Sequence, residues 1–165
     1  MNQSKSYPGI PPETLIIAAP SEEAIHFVRK AIITALSSNV TIDSANVPIY
    51  GRVPNNASFP YIRVYSVSNN EVDQNRTQYN METITRIECI ARYVSDDGGE
   101  YDVNSMVSQC LNLLRTRSAG YIDLSSDGFT VYTSENAGVT YLEEDMSDHT
   151  YYRGIIELSN RITQN

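Results

Sequence analysis

The stretch from Met81 to Val94 restricts the possible folds of this chain more than any other feature of its sequence. Its residues alternate between two sets. The first set is Ile87, Cys89, Ala91 and Tyr93, and the second is Arg86, Glu88, Ile90 and Arg92. A period of two is typical of a β-strand that packs one face on a core. Because the second set is too charged to be core, we expect a sheet whose second face is left to water or to a partner.

An amphipathic helix is predicted on each side of this strand. The first begins at Ser21, which is a good N-cap residue, and ends near residues 37–39. Its apolar stripe is Ile25, Val28, Ile32, Ala35 and Leu36. The second begins near Asp102, and its stripe is Val103, Met106, Val107, Cys110, Leu111 and Leu114. We expect Ile32 and Leu111 to be buried, because two helices with one apolar stripe each can cover one face of a sheet.

The remaining strands complete the prediction of one α+β domain over residues 21–165. A short extended piece begins at Tyr50, and a strand from Phe59 to Val67 places Ile62 and Val64 on one face and Arg63 and Tyr65 on the other. Three further strands are predicted at residues 129–133, 139–144 and 149–162. The predicted order is α-β-β-β-α-β-β-β, in a single mixed or antiparallel β-sheet with the two helices packed on one face. Residues 1–20 contain four of the seven prolines and are predicted to form an extended N-terminal arm.

The net charge of the chain argues against duplex DNA as a partner, and its residue types favour protein partners. A net charge of −8 argues against a surface that grips duplex DNA, because phosphate neutralisation needs clustered Lys and Arg. No apolar run approaches the length of about 20 residues that a membrane helix needs, so no membrane segment is expected. Only Lys5 and Lys30 are lysines, whereas 12 residues are Tyr. Tyr and Arg are enriched and Lys is depleted at protein–protein interfaces, so this bias favours assembly.

The sequence contains no catalytic motif that we can identify. Cys89 and Cys110 lie far apart and are expected to be reduced, buried residues. The best metal candidate is the acidic run Glu143-Glu144-Asp145 followed by Asp148 and His149. An exposed acidic loop between two strands explains the same run better. We therefore predict no catalytic, cofactor-binding or metal-binding residue, and no cofactor.

Five segments give the chain a resemblance to a known family. They are VRKAIITAL (28–36), IYGRVPNNASFPYIRV (49–64), IECIARYVSDDGG (87–99), VNSMVSQCLNLL (103–114) and HTYYRGIIEL (149–158). Together they resemble the small tail terminator, or tail completion, proteins of tailed bacteriophages, over about residues 24–160. In that family a segment like 49–54 leads from the first helix into the first long strand, and Phe-Pro-Tyr opens that strand. The late Asp-x-x-x-Tyr-Arg-Gly pattern is similar to Asp148–Gly154 here. The proline-rich arm is a departure from the compact family members.

The resemblance implies a structural virion protein without catalytic residues. Such a protein forms a ring, usually a hexamer, that ends polymerisation of the tail tube and meets the head connector. The implied partners are further copies of the chain, the tail tube protein, a head–tail connector or neck protein and, in a contractile tail, the sheath protein. DNA would pass the lumen without specific binding. The implied location is the virion tail or neck, after assembly in the host cytoplasm.

The charged faces supply a candidate subunit or partner interface. The first group consists of Arg63, Tyr65, Arg86, Glu88 and Arg92. The second, acidic group consists of Glu143, Glu144 and Asp145. We expect the first group to meet the acidic group of a neighbouring copy. Three alternatives stay open: another neck, head–tail joining or tube-related ring protein, a monomeric ligand-binding or regulatory domain, and a metal-dependent hydrolase that uses residues 143–149.

Overall fold

The computed structural model describes residues 23–73, 78–94, 97–115 and 121–165. Within these ranges the chain is α+β, with helices α1 (Ile25–Leu36) and α2 (Tyr101–Leu114). The strands are β1 (Thr41–Ile42), β2 (Ala45–Asn46), β3 (Ile49–Tyr50), β4 (Tyr61–Glu71), β5 (Asn80–Val94), β6 (Phe129–Asp145) and β7 (His149–Gln164). A short 3-10 helix, Ser125–Asp127, precedes β6.

Five of the strands form one mixed sheet in the order β3-β4-β5-β7-β6. The β3–β4 pair is parallel, and the other three pairs are antiparallel. The two edges of this sheet differ greatly, because β3 has 2 residues and β6 has 17. One edge is therefore short and followed by a loop. The other is a long strand that, among the described residues, pairs on one side only.

The core lies between the two helices and one face of the sheet. Val28, Ile32 and Leu36 of α1 are buried, as the helical spacing predicted. Leu111 of α2 is only partly buried, so the prediction for this position was too strong. The helix α2 approaches β7 closely at Gly154, where a Cβ atom would lie 2.7 Å from a Val103 methyl carbon.

The predicted single sheet and strand order were wrong before α2, because β1 and β2 form a separate two-stranded sheet. Thr41 pairs with Asn46 and Ile42 with Ala45, around a two-residue turn. Its residues Asp43 and Ser44 have φ of 47° and 65°. Such turns usually carry Gly or Asn, so Asp-Ser gave no clear hairpin signal.

The predicted order was also wrong after α2, where residues 129–133 and 139–144 belong to one continuous strand. Asn136-Ala137-Gly138 resembles a turn, but it is a bulge within β6, with a register shift between Asn136 and Gly138. The backbone N–H of Gly138 donates to Asn136 Oδ1 at 3.0 Å. A second bulge lies between Val131 and Thr133. Bulges insert a residue without ending the strand, which explains why turn-forming residues occur inside β6.

Several predictions near the chain start fall outside the described residues. The predicted N-terminal arm, residues 1–20, and the predicted N-cap Ser21 are among them. The described part of the first helix begins at Ile25, with Ala24 at the N-cap position and no side-chain cap.

Candidate interaction surface

The face of the large sheet opposite the helices holds the predicted interface residues of β4 and β5, and Glu144 of β6. We call this the open face. It consists of Tyr61, Arg63 and Tyr65 on β4, Arg86, Glu88, Ile90 and Arg92 on β5, and Tyr151, Arg153, Ile155 and Glu157 on β7. Arg63 lies beside Glu88 and Tyr65 beside Arg86 in the β4–β5 register. Alternation along each strand therefore brings five predicted interface residues together on one face.

An ion triad crosses the open face from β5 to β6. The Arg153 guanidinium donates to Glu88 Oε1 at 3.1 Å and to Glu144 Oε2 at 3.1 Å. The Glu88 side chain is only 7% exposed, whereas that of Glu144 is 45% exposed. Burial is the largest cause that raises the pKa of Tyr61, and the Glu88 charge adds to it. The buried carboxylate of Glu88 needs a cationic partner such as Arg153, because an unpaired charge is costly to remove from water.

A second pair links β5 to β7 near the middle of the sheet. Arg86 donates from Nε at 3.1 Å and from Nη2 at 3.0 Å to Glu157 Oε2. Arg161 and Glu82 form a longer pair at 3.6 Å farther along the same strands. These pairs are partly exposed to water, so each contributes little to folding. Arg86 therefore has a partner within its own chain, and reversing its charge would disturb the fold as well as any contact with a neighbour.

An aromatic cluster covers one end of the open face. The Phe59 ring centroid lies 5.0 Å from that of Tyr61 and 5.7 Å from that of Tyr151. The Arg92 guanidinium carbon lies 4.5 Å from the Phe59 centroid, a cation–π distance. The loop after β3 thus folds over this end of the sheet. Ile90, next to Arg92, is only 4% exposed as a result, which the alternating pattern alone did not predict.

The acidic run at the end of β6 is exposed, but its side chains have separate partners. Glu144 binds Arg153 on the open face, and Asp145 Oδ1 accepts from the Thr150 hydroxyl at 2.8 Å. Glu143 lies 3.5 Å from the Tyr152 hydroxyl. His149 Nδ1 lies 2.9 Å from Asp148 Oδ2. In the part of the chain that the structure describes, no three His, Cys, Asp or Glu side chains are grouped to hold a metal ion.

Two cations near the β3 edge, Arg29 and Arg52, were not among the predicted site residues. Arg52 follows β3 and borders two clefts. The first, of about 600 Å³, lies against α1, and its lining includes His26, Arg29 and Lys30. The second, of about 470 Å³, opens on the open face, and its lining includes Arg63, Glu88 and Arg153. The scarcity of lysine indicated that arginines in general could serve an interface. Arg52 and Arg63 lie close together only because β3 pairs in parallel with β4.

Comparison with known proteins adds no further assignment. Neither the protein-family models nor the curated proteins contain a match to this chain. The resemblance to tail terminator proteins therefore rests on the five sequence segments. Among the described residues, no helix is long and apolar enough to span a membrane.

Proposed function

We propose that this chain is a non-enzymatic structural subunit of a tailed-phage virion. It forms a homo-oligomeric ring, by resemblance a hexamer, at the head-proximal end of the tail. The ring ends polymerisation of the tail tube and joins the tail to the head connector or neck protein. The proposed position in the virion rests on the sequence resemblance. The proposed ring is supported by the geometry of the sheet.

The observation that carries the proposal is the asymmetry of the five-stranded sheet. Its helices pack on one face only, and its open face carries ion pairs and tyrosines. Its edges are also unlike each other, with two residues in β3 and seventeen in β6. A closed ring needs heterologous contacts, in which two different surfaces of the subunit meet. A subunit with two different sheet edges offers such a pair of surfaces.

The charge distribution suits a ring through which DNA passes. The chain carries a net charge of −8. On the open face Arg86 and Arg153 are paired with glutamates of the same chain. Cations neutralised in this way contribute little to phosphate binding, which depends on unpaired Lys and Arg. The ring could then surround DNA without holding it.

The proposal is tested by the assembly state of the purified chain and by the tails of a phage that lacks it. We expect light scattering to give a ring-sized particle, and negative-stain images to show rings, alone or on tail tubes. Without the chain, tails should reach abnormal lengths and should not join heads. Tails of normal length that fail to join heads would indicate a different neck ring. A protein that stays monomeric and never attaches to tail tubes would refute the ring and favour a monomeric binding domain.

A further inference from the structure

One side of the molecule carries cations that have no ion-pair partner among the described residues. We call this side the basic edge, and it comprises Arg29 on α1, Arg52 after β3 and Arg63 on β4. In residues 23–73, 78–94, 97–115 and 121–165, the Lys, Arg and His residues in ion pairs are Arg86, His149, Arg153 and Arg161. No residue of the basic edge is among them.

The clefts beside Arg52 make this edge concave and electropositive. Among the residues that the structure describes, none in the lining of the cleft against α1 is acidic. The cleft on the open face has one, Glu88, and that carboxylate is buried and already bound to Arg153. An incoming carboxylate would meet Arg52 and Arg63 with little repulsion from the walls. Concave surfaces of one charge concentrate ligands of the opposite charge.

The opposite side of the sheet carries the complementary charge. We call the turn between β6 and β7 the acidic tip, and its acidic residues are Glu143, Glu144, Asp145 and Asp148. All four are exposed. Glu143 is the least engaged, because its nearest hydrogen-bonding group is the Tyr152 hydroxyl at 3.5 Å. An acidic hairpin that projects from a sheet edge can reach into a cleft of another molecule.

The acidic tip and the basic edge of one chain are too far apart to neutralise each other fully. The sheet order places β6 four strand positions from β3. At about 4.8 Å per strand, this separation is roughly 19 Å, and Arg63 on β4 lies one strand closer, at roughly 14 Å. Screening at physiological salt acts over about 8 Å, so the two charged regions behave independently in the free subunit.

From this arrangement we infer that the acidic tip of one copy docks on the basic edge of the next copy. This inference rests on the proposed ring and names its subunit contact. Because the two surfaces lie on opposite edges of the sheet, the contact is head-to-tail, and its repetition generates a ring when the rotation closes. Arg52 and Arg63 receive the carboxylate of Glu143, while Glu144 continues to hold Arg153 within its own chain.

Charge reversal and charge exchange test the contact. Arg52→Glu and Glu143→Arg should each weaken self-association at least about tenfold, because each places like charges together across the interface. The double variant Arg52→Glu/Glu143→Arg should recover association, since each contact again joins opposite charges. Arg115→Glu is the matched control for Arg52→Glu, because both change the net charge by the same amount. Arg115 is an exposed residue after α2 and lies outside the basic edge. The Arg115→Glu variant should assemble as the wild type does.

Association is measured by analytical ultracentrifugation over a range of salt concentrations, with circular dichroism as the check on folding. If Arg52→Glu does not fold, the neutral variants Arg52→Gln and Arg63→Gln serve instead, and their association should depend less on salt than that of the wild type. Variants that assemble with wild-type affinity, from a wild type that forms rings, would overturn this contact and leave the ring intact. A wild type that never assembles would overturn both. If Arg52→Glu loses binding to duplex DNA but still assembles, the basic edge binds phosphate and not a neighbouring copy.

Discussion

The buried carboxylate of Glu88 should make Arg153 one of the most sensitive positions on the open face. We expect Arg153→Met to lower the free energy of unfolding by about 2–3 kcal/mol. The substitution keeps an unbranched apolar stem that still packs on the sheet. It removes the guanidinium that binds Glu88 and Glu144, each at 3.1 Å.

The magnitude follows from the burial of the two partners. Removal of one partner from a fully buried pair costs about 3–5 kcal/mol, because an uncompensated charge remains inside. The Glu88 side chain is 7% exposed and that of Arg153 is 33% exposed, so water can replace part of the lost contact. The double variant Glu88→Met/Arg153→Met should recover much of the loss, because apolar groups of similar volume can replace a buried pair.

Urea unfolding followed by circular dichroism, at two protein concentrations to separate folding from association, measures this effect. The melting temperature should fall by roughly 4–12 °C for a domain of this size. Glu144→Gln is the matched control, because it affects the same guanidinium on its exposed side and should cost less than about 1 kcal/mol. An unfolding midpoint of Arg153→Met within error of the wild type, or an equal loss in Glu144→Gln, would refute the reasoning.

Two further predictions concern the core and a turn. A hydrogen bond with Cys110, together with burial, raises the pKa of the Cys89 thiol well above its usual value. The native thiol stays protonated while the unfolded thiol ionises near about pH 8.5, so stability should fall as the pH rises above that value, and Cys89→Ala should reduce the fall in urea titrations. Gly98 has φ +92°, and a Cβ atom there would lie 2.2 Å from the Tyr93 ring, whereas Gly128 has φ +83° and open space around it. Gly98→Ala should therefore lower the melting temperature more than Gly128→Ala, and equal shifts would contradict the predicted collision.

The sequence predicted those elements whose pattern is continuous. Residues 81–94 were predicted as a strand, and β5 spans Asn80–Val94. The second helix was predicted to begin near Asp102, and α2 begins at Tyr101. In both segments the apolar residues recur at a regular spacing over most of the length, so local pattern and tertiary packing favour the same element.

The partners of the charged residues could not be predicted in the same way. Glu88 and Arg153 lie 65 positions apart and meet only because β5 pairs with β7. The burial of Ile90 depends on a loop that folds back over the open face, and a period of two carries no information about such a loop. The basic edge likewise depends on the pairing of β3, a strand of 2 residues that is too short to show a period.

The two bulges in β6 have a consequence for how its outer edge can pair with another chain. The outer edge of β6 is 17 residues long, and a strand of another molecule could pair with it. Repeated pairing of this kind would build a fibre. The bulges divide this edge, so that the longest regular stretch begins at Gly138 and ends in Glu143, Glu144 and Asp145. Two such stretches paired in parallel and in register would bring their carboxylates close together, and the like charges would repel each other. The acidic end of β6 therefore opposes this in-register addition of one strand to the next.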